Sequence, residues 1–216
     1  MDRPTKHGLF VTLEGGEGAG KSTQARRLSD ALQALGYETL LTREPGGTPG
    51  AEALRNLLLH GSVSLSWRAE ILTLLAARSD HLDTAILPAL KRGVIVICDR
   101  FHDSTFAYQG YGIGEAAPER LSFIAEARRF IQCDPDVTLL LELPREIARE
   151  RLTARGGPGD RYEDQVEAFH VRVSEGFSVI ADAEPLRVRR IDAGLEPDDV
   201  TQSLVQAVLT EFQGRQ

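Results

Sequence analysis

Cysteine, methionine and tryptophan are scarce in this 216-residue chain, with two, one and one copies. Cys98 and Cys133 stand far apart without paired metal-ligand spacing, which removes the basis for a thiolate zinc site or a disulfide framework; both are expected to be reduced thiols. Positive charge is also short, with 25 lysines and arginines against 32 acidic residues and a formal net charge of -7. That balance argues against a broad nucleic-acid footprint, which needs a basic stripe to displace counterions from phosphates. Long apolar runs are missing too: no stretch reaches the roughly 18 residues that span a bilayer, and the opening MDRPTKHG has no apolar core of an export signal. The expectation is a soluble, cytoplasmic protein with no nucleic-acid or membrane partner. A hydrophobic content of 42% suits one sizeable core, so residues 1–216 are read as a single domain.

Short apolar runs alternate with helical patterns from one end to the other, the mark of parallel β-α-β units in an α/β fold. Leu9 to Leu13 is continuous, apolar and followed by glycines, as a buried central strand would be. Ala25, Leu28, Ala31, Leu32 and Leu35 recur at helical spacing, and Gly36 follows where a left-handed stop is wanted. Further strand-like runs at Glu38–Thr42, Val94–Cys98, Val137–Leu143 and Arg187–Ile191 bring the count to five parallel strands. The longest helical pattern covers about Ser66–Leu90, with Ile71, Leu74, Leu75, Leu82 and Ile86 on one face and Pro88 expected to end or kink it. Two glycine-rich stretches, Tyr108–Gly114 and Arg155–Arg161, read as flexible surface segments.

Between the first strand and the first helix, Gly15 to Ser22 (GGEGAGKS) fits the pattern GxxxxGK followed by serine or threonine. The spacing has a physical reason. Glycines let backbone N–H groups converge on phosphate oxygens, the helix N-terminus adds partial positive charge, Lys21 reaches the terminal phosphates and the Ser22 hydroxyl can ligate magnesium. The phosphate cradle is therefore Gly15, Gly16, Glu17, Gly18, Ala19, Gly20, Lys21, Ser22 and Thr23, and nucleoside triphosphate binding is the function it points to. Asp99 ends a buried apolar strand where ligands gather in doubly wound sheets; it either holds magnesium or its water shell, or pairs locally with Arg100. Cys98 reads as a packed strand residue. No base-reading N/TKxD segment follows a later strand, which counts against a GTPase. Arg43, Arg55, Arg78, Arg100, Arg155 and Arg161 read as loop arginines, an arrangement that asks for an anionic ligand.

LEGGEGAGKST (13–23), TREPGGT (42–48), AAR (76–78), DR (99–100) followed by STFAYQG (104–110), and ARGGPGDR (154–161) together resemble the ordered motifs of bacterial thymidylate kinases, over Leu9 to about Ala193. The resemblance implies a three-layer P-loop fold with a short lid at about 149–163, and transfer of phosphate from ATP, with magnesium, to dTMP. It implies that Arg55 and Arg100 grip the acceptor phosphate, for which bidentate guanidinium geometry is suited. Arg78 then meets a thymine carbonyl, with Thr105 and Gln109 at the other base-reading positions. Glu17 resembles the acidic residue that approaches the sugar 3′-hydroxyl and the transferring phosphates, and Glu44 and Pro45 line the same pocket. Leu74 stands where members commonly place a stacking phenylalanine, so the base would rest on an aliphatic surface or borrow Phe106 or Tyr108.

Phosphoryl transfer depends on positioning and charge stabilisation. With Gly18 and Ala19 in the cradle rather than an arginine, the resemblance assigns transition-state cation duty to the lid, to Arg155 or Arg161, with Arg149 and Arg151 as helpers. The catalytic set is then Glu17, Lys21, Arg100, Arg155 and Arg161. Ile191 to Ala193 resembles the segment bordering adenine, and His81 reads as structural. The family also implies a homodimer. A different acceptor specificity on the same scaffold and a regulatory nucleotide switch are the competing readings.

Overall fold

In a computed structural model that describes residues 8–156, 161–163 and 165–214, the chain forms one parallel sheet covered by helices on both faces. The strands are β1 (Leu9–Glu14), β2 (Thr39–Arg43), β3 (Ile95–Asp99), β4 (Val137–Glu142) and β5 (Val188–Asp192), in the order β2-β3-β1-β4-β5. All five expected strands are present, with ends displaced by one residue at most positions. β1 lies in the centre, with Leu13 opposite Asp99 of β3 on one side and Leu139 of β4 on the other.

Successive side chains of a strand point to opposite faces, and in β1, β3 and β4 both faces are buried, which explains their unbroken apolar runs. Leu9, Val11, Leu13, Ile95, Ile97, Leu139 and Leu141 face one layer, with Ala25, Leu28 and Leu32 of α1 (Lys21–Ala34) and Val200, Leu204 and Val208 of a C-terminal helix, Pro197–Gln213. Phe10, Val96 and Cys98 face the other layer. Leu35 was expected on the buried face of the first helix; it lies just beyond the helix end and is exposed, since the chain turns at Gly36 (φ +89°).

α2 (Pro49–His60) starts at Thr48, whose hydroxyl accepts from the Ala51 N–H at 3.2 Å, with Pro49 preorganised in the first turn. The long apolar pattern resolves into α3 (Trp67–His81), a widened π-type segment (Leu82–Ile86) and α4 (Leu87–Lys91). Pro88 does not end the helix. It falls in the first turn of α4, directly after the widened segment, where the missing proline N–H breaks no regular ladder.

A larger correction concerns Tyr108–Gly114. After the short α5 (His102–Thr105) the chain enters a second π-type segment, Phe106–Gly112, in which Ala107, Tyr108, Gln109, Gly110 and Gly112 are all buried. The glycines serve close packing, not mobility. α6 (Pro118–Ile131) and α7 (Arg145–Arg155) follow, then α8 (Glu167–Ala183), which packs on the π segment through Phe169, Val173, Phe177 and Gly176, and the C-terminal helix is α9. A Cβ on Gly176 would lie 2.9 Å from the Ala107 backbone, so the two elements approach as closely as they do only because this position carries none. Arg155 and Arg161 flank the other glycine-rich stretch, of which residues 157–160 lie outside the described residues.

Gly176→Val should force α8 away from the π segment and cost about 1–3 kcal/mol, the usual scale of overpacking. The check is the urea midpoint, which should fall with the slope unchanged.

Candidate active site

The carboxyl ends of β1 and β3 lie side by side, and the loops that leave them make the site. After β1 the chain turns through Gly18 (φ +80°), where a Cβ would sit 2.5 Å from the Ala148 carbonyl of α7, and through Gly20 (φ +84°) into α1. Lys21 Nζ donates to the Gly16 carbonyl at 2.7 Å, folding its side chain back over the loop. Burial, together with the nearby Arg100, pulls its pKa below the ordinary lysine value, against the opposing pull of Glu17, Asp99 and Glu14. Ala19 turns its methyl into the core, so this residue offers backbone only.

Arg100, the first residue after β3, adopts φ +72°, a left-handed conformation uncommon outside glycine. Its backbone N–H donates to the Leu13 carbonyl at 3.0 Å, and its guanidinium donates to the Gly15 carbonyl (3.1 Å), Glu17 (2.6 Å) and the Tyr108 hydroxyl (3.0 Å). Tyr108 in turn donates to the same Glu17 oxygen at 2.8 Å. Burial alone would raise the Glu17 pKa; Arg100, Lys21 and the Tyr108 hydroxyl overcome it and bring it down to about 2. Glu17 is therefore an ionised carboxylate locked to the arginine beside it.

Beneath this pair lies Glu14, fully buried, which accepts from the Phe101 N–H (2.8 Å), the Ser104 N–H (3.2 Å) and the Ser104 hydroxyl (2.6 Å). It fastens the end of β1 to the turn carrying Arg100. Burial, with repulsion from Asp103, raises its pKa to about 7.

Two adjoining cavities open above these loops. One is lined by Gly18, Gly20, Lys21, Ser22 and Thr23 of the cradle, with Asp99, Arg43, Arg151 and Arg155. The other is lined by Pro45, Leu74, Arg78, Phe101, Thr105, Tyr108, Gln109 and Tyr162. Glu17, Glu44, Arg55 and Arg100 line both, forming a shared charged wall.

In the second cavity Arg78 is buried, donating to Glu44 at 2.6 Å and to the Thr105 hydroxyl at 3.1 Å, with its guanidinium 5.0 Å above the Phe101 ring. His81 supports this pair from behind, bridging Thr42 (2.7 Å) and Glu44 (3.2 Å), in keeping with a structural role. Arg55 donates to the Pro45 carbonyl at 2.7 Å. The aromatic surfaces lining the cavity with Leu74 are Phe101, Tyr108 and Tyr162; Phe106 does not line it and lies tilted against Tyr111, which corrects its expected availability to a base. The arginines are not all in loops either: Arg55 lies on α2, Arg78 on α3, and Arg43 ends β2.

The expected lid begins as helix, since α7 carries Arg149, Arg151 and Arg155. Arg151 donates to the Ala193 carbonyl at 3.1 Å, and Arg155 pairs with Glu163 at 2.5 Å on the cradle side. Arg161 reaches the other way, to the buried Glu70 of α3 at 2.8 Å. The two arginines, equivalent in sequence, thus differ in place: Arg155 lines the cradle cavity, and Arg161 is tied to Glu70, the partner of Gln109. Asp99 does not pair with Arg100. It accepts from the Ser22 hydroxyl through Oδ2, while its other oxygen is buried without a hydrogen-bond partner. An orphaned carboxylate oxygen beside a hydroxyl fits a hard cation, and no cluster of three acidic or histidine side chains exists among the described residues to complete the shell, so phosphate and water would have to do so.

The model of the family Thymidylate kinase matches residues 13–204. The chain belongs to the thymidylate kinase family. It is 68% identical over 201 residues to the thymidylate kinase of Gluconobacter oxydans, covering 93% of this chain and 94% of that protein, and 48% identical over 204 residues to that of Caulobacter vibrioides, covering 94% and 96%. The crystal structure of thymidylate kinase from Ehrlichia chaffeensis superposes with a TM-score of 0.74 at 32% identity, over 94% of this chain and 98% of that one. Among the residues that sequence reasoning passed over, Phe101, Ser104 and Tyr162 line the cavities, and Glu14 and Glu70 brace the residues that do. Glu70 was in principle legible: it precedes Leu74 by four residues and Arg78 by eight, positions that fall on one broad helical stripe.

Glu14 gives a pH prediction. A folded carboxyl with a raised pKa favours the native state fully below about pH 4.5 and progressively less as pH rises to about 7, because the unfolded chain releases its proton first. Glu14→Gln should therefore become relatively less destabilising at pH 7.5 than at pH 5, measured as the wild-type minus mutant difference in urea unfolding free energy. A difference that grows with pH would contradict the raised value.

Proposed function

We propose that the chain transfers the γ-phosphoryl group of ATP to dTMP, giving dTDP for dTTP synthesis. The observation that carries this reading is the wall of Glu17, Glu44, Arg55 and Arg100 shared by a phosphate-cradle cavity and a smaller, aromatic-lined one, since transfer between two nucleotides requires their phosphates to meet at one boundary. ATP takes the cradle side through Gly15–Thr23, with Lys21 exchanging the Gly16 carbonyl for a phosphate oxygen. Ser22 and Asp99 would hold Mg2+, which when bound supplies charge neutralisation of the triphosphate.

On the acceptor side Arg55 and Arg100 grip the monophosphate, and Arg78, Thr105 and Gln109 face the base, with Leu74 and Phe101 as its apolar bed. Glu17 holds Arg100 in place and approaches the sugar hydroxyl, while Tyr108 keeps both aligned. Arg155, already on the cradle side, is the lid arginine best placed to stabilise the transferring group; Arg161 would act from the acceptor side. Cytoplasmic location and homodimeric assembly go with this reading.

Coupled ADP release with ATP and magnesium should be fastest with dTMP among thymidine, dTMP, dUMP, dCMP, dGMP and AMP, and Arg100→Ala should abolish that advantage. Arg155→Ala should lower kcat by about 10³-fold, the scale of an arginine acting on the transition state. Slow hydrolysis without acceptor dependence would instead favour a nucleotide switch, and unchanged turnover in both Arg155→Ala and Arg161→Ala would refute the lid assignment.

A further inference from the structure

Glu70 occupies a position that the phosphate chemistry does not require. It lies on α3 at 4% exposure, eight residues from any other acceptor-side side chain of that helix except Leu74, yet it gathers three groups from distant parts of the chain. Its Oε1 accepts from Gln109 Nε2 at 3.1 Å and faces the Tyr162 hydroxyl at 3.4 Å, and its Oε2 accepts from Arg161 at 2.8 Å. Gln109 Nε2 also donates to the Tyr162 hydroxyl at 2.9 Å.

These contacts determine which way round the Gln109 carboxamide sits. A carboxylate only accepts, so the amide nitrogen must face Glu70; the tyrosine hydroxyl, directing its own proton to Glu70, can only accept from the same nitrogen. Both Nε2 protons are thereby committed, and the carbonyl oxygen is what Gln109 offers to the cavity it lines. Flipping the amide would set its oxygen against the carboxylate inside a buried network, a costly arrangement.

We infer that Glu70 is a positioning residue for base selection: by orienting Gln109 it makes the site demand a ring N–H from the acceptor base and reject a base with a lone pair there. This rests on the nucleotide-kinase reading above and deepens it. A pyrimidine-dione ring carries N3–H and supplies the proton, whereas cytosine presents a bare N3, placing two acceptors face to face. A buried polar pairing of this kind discriminates far more strongly than a change in apolar contact.

The test is calorimetric titration of dTMP and dCMP into wild type, Glu70→Gln and Tyr162→Phe, each also in a Gln109→Leu background. A glutamine at position 70 can donate as well as accept, so it permits the flipped amide. The ratio of dCMP to dTMP dissociation constants should fall at least fivefold in Glu70→Gln and less, in the same direction, in Tyr162→Phe, which still folds the helix around its native carboxylate. In the Gln109→Leu background neither change should move the ratio further. Equal weakening of both nucleotides, or a ratio shift that persists without Gln109, would overturn the inference. Should Glu70→Gln not fold, an unchanged ratio in Tyr162→Phe would overturn it alone. If wild type neither binds nor turns over dTMP, the underlying reading of function falls instead, and the two failures are told apart by the wild-type titration.

Discussion

Parallel pairing of β1 with β3 forces two loops to leave the sheet next to each other, and the buried carboxylate of Glu14 binds them into one piece. The phosphate cradle follows one strand and Arg100 follows the other, so their spacing is set by strand register rather than by either loop. Arg100 keeps a left-handed backbone because its N–H is tied to Leu13 and the next residues are tied to Glu14. Loosening that fastening would release Arg100 from Glu17, and through Glu17 the shared wall between the two cavities. Charge at the site is thus organised from beneath, by a group that no ligand need touch.

The second layer of organisation comes from the π-type segment at Phe106–Gly112. Thr105 at the end of α5 and Tyr108 and Gln109 within the segment line one cavity, while the segment's glycines let α8 close against it. A mobile loop would not hold Tyr108 against both Glu17 and Arg100. The same segment carries Gln109 to Glu70, so packing of α8 and orientation of the base-facing amide depend on one local distortion.

Much of this was legible in the sequence. The five strands follow from apolar runs, the cradle from its glycine spacing and Asp99 from its place at the end of β3, whereas Arg55, Arg78, Thr105 and Gln109, which came from the family resemblance, line one cavity together. Reading Tyr108–Gly114 as a flexible surface segment failed because glycine content signals backbone freedom and close approach alike, and only the packing partner, α8, distinguishes them. Pro88 was expected to end or kink the helix; the chain continues through it, because the ladder is already widened just before this residue. Phe106 and Phe101 cannot be told apart as neighbours of a base without knowing which side of the turn each faces. The carboxylates Glu14 and Glu70 escaped notice because an acidic residue in an acidic protein carries no compositional signal, and burial alone makes it informative.

Pairing with carboxylates explains how a protein of net charge -7 gathers arginines around one cleft. Arg78 is paired with Glu44, Arg100 with Glu17, Arg155 with Glu163, Arg161 with Glu70 and Arg43 with Glu52. Unpaired guanidinium groups in such a cleft would repel one another and carry a large desolvation cost; paired ones sit in defined positions before any ligand arrives. The consequence reaches function, because an anion entering the cleft meets guanidinium groups already held in place, with Arg78 and Arg100 largely desolvated, and need not order them itself. The carboxylates also limit the net positive field, so recognition rests on hydrogen-bond geometry more than on bulk attraction. An anion whose oxygens do not match that geometry finds no strong field to hold it in their place.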